Sequence, residues 1–189
     1  VVRMTNILIG FYEANFLVQA TDEIYEFFEP LIDEDRASRA LFYLKVNNSY
    51  AYDIEPFNIV YKDRKEVDVS NREISIFFFE KTISIQKAII LGENGNDVRY
   101  YTFMASILFP QIPISFDIMS GGGSTTSEVF ANIQKQNKRF CLVIADSDMK
   151  YPDAPLGGTA KAIEKVWNKK RAHLDVYRLS VHEAENLLP

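Results

Sequence analysis

Cys141-Leu142-Val143-Ile144-Ala145-Asp146-Ser147-Asp148 is the stretch that decides the fold. Five apolar or small residues run without alternation, the pattern of a strand covered on both faces, as in a parallel sheet between helices. The run stops at Asp146-Ser147-Asp148. Residues two apart on an extended chain point the same way, so both carboxylates would converge just past the strand. Open α/β sheets place their ligands at that edge. Two carboxylates gathered there repel unless a hard cation lies between them, and Mg²⁺ prefers oxygen ligands and keeps several waters. A polar turn closing a core strand would use the same residues, and Asp-x-Asp alone is a weak motif.

The surrounding sequence repeats the strand–helix rhythm. Ala88–Leu91 reads as a short buried strand, Gly92–Asp97 as its turn, and Val98–Leu108 as a helix. Ile112–Met119 reads as a second strand, with Pro113 near its start suiting an edge. Gly121-Gly122-Gly123 is a loop, and Thr125 with Glu128 forms a T-x-x-E capping box for a helix to about Asn137. After the Cys141 strand, Tyr151–Gly158 is loop, Thr159 can cap a helix to Ala172, and Asp175–Leu179 is a fourth strand. Such alternation predicts an α/β fold, a mainly parallel sheet flanked by helices, over residues 86–189.

Residues 1–85 read differently, as a mixed α+β region serving docking or oligomerisation. Ile7, Leu8, Phe11, Ala14, Phe16 and Leu17 keep a helical period. Asp22 can cap a helix ending at Pro30, and a third helix would run from Asp35 to Lys45. Phe57–Tyr61 and Val67–Val69 are placed to form a hairpin, and Ile74 with Ile76–Phe79 suits another strand. The acids from Asp22 to Asp35 read as a solvated face.

Composition narrows the class. The chain has 189 residues, 47% of them hydrophobic and 25% charged, with a formal net charge of −5. That is a globular composition, and the acidic total argues against a general nucleic-acid coat while leaving room for a local basic patch. Cys141 is the only cysteine. No intrachain disulfide can form, which suits a reducing, cytoplasmic setting. Neither a membrane-spanning apolar run nor a signal peptide is expected. Val1 in place of Met, and a stop at Pro189 just past an acidic segment, suit an excerpt of a longer protein.

The acids at the strand ends carry the candidate chemistry. Glu93 follows the first strand of the second half, whereas Asp97 has an ordinary place in a first helical turn, where the helix dipole favours acids. Glu183 or Glu185 would reach the same edge after the fourth strand. Gathering so many carboxylates without cations is costly.

The segments Ile90-Leu91-Gly92-Glu93-Asn94-Gly95-Asn96-Asp97, Ile144-Ala145-Asp146-Ser147-Asp148 and Glu183-Ala184-Glu185-Asn186 together resemble a Toprim domain. This is the module shared by topoisomerases, primases and OLD-type nucleases, and the tail Glu183-Ala184-Glu185-Asn186 is similar to the Glu-Asn segment of Toprim effectors in bacterial anti-phage systems. The resemblance covers roughly residues 86–189 and departs from the family where its Glu-Gly pair is Glu93-Asn94. It implies a Mg²⁺- or Mn²⁺-dependent nuclease, with Glu93, Asp146, Asp148 and Glu185 catalytic, and with Asp97 and Glu183 further candidate ligands. It also implies an ATPase partner, since no P-loop occurs in this chain. A silent Toprim-like binding or scaffold module and a primase-like nucleotidyl transferase would share these acids.

Further candidates are of other kinds. Lys161, Lys165 and Lys169, joined by Lys170 and Arg171, would form a basic helix stripe along which a DNA or RNA backbone could track. A solvated helix face accounts for the same residues. Gly121–Ser124 would offer backbone N–H groups to a phosphate, or serve only as a turn. His182 is a candidate base or phosphate contact, and His173 is expected at the surface.

Overall fold

The computed structural model describes the chain except residues 16–17, 47–56, 111–114, 137, 152 and 183–189. It divides into two compact units, Val1–Lys87 and Ala88–Pro189. Each is described by itself.

In the first unit, α1 (Val2–Tyr12), α2 (Asp22–Phe28) and α3 (Asp35–Val46) precede two short strands, β1 (Asn58–Val60) and β2 (Glu73–Ser75). Helices α1 and α3 bury Ile7, Leu8, Ala37, Ala40, Leu41 and Leu44. The helical period does not carry α1 through Ala14, which turns left-handed at φ 56°. The expected hairpin is absent among the described residues: β1 pairs with β2, not with Val67–Val69, and the pairing is parallel. The segment between them is occupied by a 3₁₀ turn, Val69–Asn71, capped by the Asp68 carboxylate, and is long enough for a parallel return.

The aromatic run is not a strand either. The Ser75 side chain accepts a hydrogen bond from the Phe77 N–H at 3.2 Å, and a 3₁₀ helix runs from Ile76 to Glu80. Phe78 and Phe79 are buried. The Phe79 carbonyl accepts from the Asn6 side-chain amide of α1 at 2.8 Å. Local capping and packing against α1 thus outweigh the β preference of the aromatics.

The second unit is the α/β fold expected. Strands β3 (Ile89–Gly92), β4 (Asp117–Ser120), β5 (Cys141–Ala145) and β6 (Leu174–Arg178) form one four-stranded sheet in the order β4-β3-β5-β6. Every pairing is parallel. Helix α4 (Gly95–Leu108) links β3 to β4, α5 (Thr126–Gln136) links β4 to β5, and α6 (Gly158–Val166) links β5 to β6. Ile89, Leu91, Cys141, Val143, Ala145 and Leu174 point to one face and pack with Phe130 of α5 and Ile163 of α6. Gly92 faces the other way. A Cβ there would stand 2.5 Å from Val98 Cγ2, so the missing side chain lets α4 lie close on the opposite face.

Coverage of that second face is incomplete. Burial along β5 alternates, with Leu142 and Ile144 only half-buried, so the strand is not sealed on both sides as its composition suggests. Helix α4 buries only Val98. No helix among the described residues is long and apolar enough to cross a membrane.

Two helix ends differ from the sequence reading. The Thr125 hydroxyl donates to the Gly121 carbonyl rather than capping α5, and the Thr126 hydroxyl donates to the Gly123 carbonyl at 2.6 Å. Helix α6 stops at Val166, short of Ala172, because Gln134 of α5 takes over its last hydrogen bonds. The Gln134 amide donates to the Val166 carbonyl at 3.0 Å and accepts from the Asn168 N–H at 2.8 Å. A side chain from a neighbouring helix thereby does the work of a C-cap.

Candidate active site

The sheet order sets the site. From β3 the chain steps outward to β4, then crosses back over β3 to β5. Adjacent strands whose connections leave in opposite directions open a crevice at their carboxyl ends. Gly92 pairs with Ile144. Glu93, leaving β3, and Asp146, leaving β5, therefore emerge side by side at that crevice.

Glu93 is held from several directions. Its carbonyl accepts from the Gly122 and Gly123 N–H groups, both at 3.0 Å, and the Gly92 carbonyl accepts from the Gly121 N–H at 2.8 Å. The Gly-rich loop thus spends its N–H groups on the end of β3 instead of presenting them to a phosphate. Gly122 and Gly123 have φ of 73° and 65°, which glycine adopts without strain. Asn94, the departure from Glu-Gly, is the N-cap of α4, and its side chain accepts from the Asn96 N–H at 3.0 Å.

The Glu93 carboxyl is pushed up to about 7. Burial is the largest cause, followed by the negative charges of Asp146 and Asp148. The Thr159 hydroxyl and the Asp146 backbone N–H oppose the shift by hydrogen bonding to the carboxylate. Oε1 of Glu93 is buried and has no hydrogen-bond partner among the described residues.

The Asp-x-Asp segment is not simply extended. Asp148 is left-handed, with φ 51°. Its N–H donates to the His182 carbonyl at 3.1 Å. Ser147 is fully buried, and its hydroxyl donates to the Val181 carbonyl at 2.6 Å. The stretch after β6 therefore lies along the stretch after β5. With Asp148 left-handed, the aim of its carboxylate is not set by strand alternation, yet both aspartates act electrostatically on Glu93.

The remaining candidates fall in different places. Asp97 lies in the first turn of α4, as its dipole explanation requires. Glu183 and Glu185 lie outside the described residues. His182 meets the segment through its backbone carbonyl, and its residue is exposed. His173 is buried, contrary to expectation, and its carbonyl receives the Cys141 N–H at 2.9 Å.

The basic stripe is broken. Lys161 and Lys165 are exposed on α6, but Lys169 and Lys170 follow its end. The Lys169 ammonium stands over the Trp167 ring, 4.9 Å from its centre. Arg171 donates to the Gln134 carbonyl. Only two of the five basic residues thus lie on one helix.

Thr159 and Gly157 are site residues that sequence reasoning missed, having assigned them to a cap and a loop. Neither has a chemical signature of its own. Their roles come from the seating of α6 against the ends of β3 and β5.

The donors available to a cation are hard carboxylate oxygens, and the buried, unpartnered Oε1 of Glu93 is the atom a cation would satisfy. Among the described residues no three His, Cys, Asp or Glu side chains form a group that would enclose a metal. No family model, curated protein or solved structure matches the chain.

Proposed function

We propose that the second unit is a Toprim-like, Mg²⁺- or Mn²⁺-dependent nuclease. It would hydrolyse phosphodiester bonds in DNA or RNA as an anti-phage effector governed by an ATPase partner. One observation carries this reading: Glu93, with a buried unpartnered oxygen and a carboxyl near 7, stands in the field of Asp146 and Asp148 at the crossover of a parallel sheet.

Glu93, Asp146 and Asp148 would hold the cation, and Glu183 or Glu185 would extend the set. When bound, the cation would supply positive charge to the phosphate and lower the pKa of attacking water. The chain's own contribution is placement and proton balance. Near neutral pH the Glu93 carboxyl carries a proton for part of the time. Release of that proton frees both oxygens for a ligand, so cation affinity rises with pH up to about 7. Thr159 and the Asp146 N–H steady the ionised form. In the reaction a water oxygen bonds to phosphorus as the ester P–O bond breaks, and the departing oxygen ends protonated. Lys161 and Lys165, exposed on α6, supply a small basic surface for the backbone. The single buried thiol suits a reducing cytoplasmic setting.

Asp146→Ala tests the proposal. The chain should fold as well as wild type, because removing a charge relieves repulsion, while cation binding and cleavage fall together. The comparison belongs in the assembled system with its activator. Equal cleavage by both chains, with EDTA also without effect, would sink the nuclease reading. A silent binding module would remain.

A further inference from the structure

The loop that returns from β5 to α6 contains a close approach that no local rule of sequence requires. Gly157 is the N-cap of α6, with φ −63° and ψ 171°. Any residue adopts that conformation, so the backbone does not demand glycine here. Space does. A Cβ on Gly157 would overlap Oδ2, Cβ and Cγ of Asp148, standing 2.6 Å from Cγ. Rotating the Asp148 carboxylate would not relieve the overlap, because its Cβ is part of it. The backbone at one of the two positions would have to move.

Asp148 is otherwise fixed on both sides. Its N–H is held by the His182 carbonyl. The Ser147 carbonyl accepts from the Gly157 N–H at 2.9 Å, and the Met149 N–H donates to the Ser147 hydroxyl at 3.3 Å. The left-handed backbone at Asp148 is a strained state that persists only where surroundings over-determine it. The neighbouring glycine provides a contrast: nothing lies within 4 Å of a Cβ built on Gly158.

We infer that Gly157 is a positioning residue, whose missing side chain lets α6 begin against Asp148 and so fixes that carboxylate for the cation. The inference rests on the metal-dependent reading above. It assigns no chemistry to Gly157 itself, which acts only through Asp148.

Two measurements on the full chain test it. The first is a denaturation cycle without metal, comparing Gly157→Ala, Asp148→Ala, the double variant and Gly158→Ala. Gly157→Ala should lower the urea midpoint in the wild-type background and leave it unchanged in the Asp148→Ala background, as coupled neighbours require. Gly158→Ala should not lower it. An equal loss in both backgrounds would refute the close approach as the cause, and the double variant keeps this decidable if Gly157→Ala alone fails to fold. The second is Mn²⁺ binding followed by electron paramagnetic resonance. Gly157→Ala should weaken it about tenfold, the scale of a lost supporting contact, with Gly158→Ala unchanged. Unchanged Mn²⁺ affinity in Gly157→Ala would reduce the contact to packing and overturn the positioning role. A wild type that binds no Mn²⁺ would overturn the metal reading and the positioning role with it, while the denaturation cycle still decided the contact.

Discussion

Glu93→Gln should make the metal-free chain more stable at high pH than at low pH, relative to wild type. The carboxyl titrates near 4.5 when unperturbed and at about 7 in the folded chain. Between those values the folded state binds the proton that the unfolded state has lost. Wild-type stability is therefore undiminished below about 4.5, declines as pH rises, and has lost the full term above about 7. At 1.36 kcal/mol per pKa unit the ceiling is about 3 kcal/mol. The carboxyl is only partly buried, and solvent screening brings the expected figure to about 1–2 kcal/mol. Glutamine keeps the shape and cannot ionise. Its own packing cost does not depend on pH, so it cancels between conditions. Urea denaturation in EDTA at pH 5 and pH 8.5 measures the term directly. The glutamine variant should gain about 1–2 kcal/mol on wild type across that interval. A difference between the two chains that does not change with pH would refute the claim that burial and the two aspartates strain this carboxyl. Mg²⁺ should reverse the order at pH 8.5, because a ligand at a hundredfold its Kd stabilises by about 2.7 kcal/mol and the variant would lack the site.

Ser147→Ala should cost about 1–3 kcal/mol, since the Val181 carbonyl would lose a buried partner; a loss below a few tenths by urea denaturation would contradict that bond. Cys141, buried with its thiol pushed up to about 12, should resist a disulfide reagent at pH 8 in the native chain and react quickly in guanidinium. Rapid native labelling would show the strand open. Lys161→Ala combined with Lys165→Ala should lower the magnitude of the salt-dependence slope of nucleic-acid binding by about 1.8 for a duplex. An unchanged slope would place the backbone elsewhere.

What the sequence determined by itself is the part set by local chemistry. The apolar runs at Ile89 and Cys141, the helical periods between them and the polar stops after each were sufficient to read a parallel sheet, with Glu93 and Asp146 at its carboxyl edge. Helices α2 and α3 were legible from Pro30 and the spacing of Ala37, Ala40, Leu41 and Leu44, although Thr21 and not Asp22 is the N-cap of α2. Tertiary structure decided what no short window contains. Phe77–Phe79 left the sheet for a 3₁₀ helix because Ser75 capped it and α1 received its buried rings. Helix α6 ended at Val166 because Gln134, far away in sequence, satisfied its carbonyl, and the basic stripe broke with it. The Gly-rich loop could be read as a phosphate cradle or as a plain turn, and only the fold sent its N–H groups to Gly92 and Glu93. Alternation would aim Asp146 and Asp148 together; the fold instead turned Asp148 left-handed and seated it against Gly157. Strand identity follows from periodicity, which a few residues carry. Helix ends, loop hydrogen bonds and carboxylate aim depend on which distant atoms arrive at the same place, and only the folded chain fixes that.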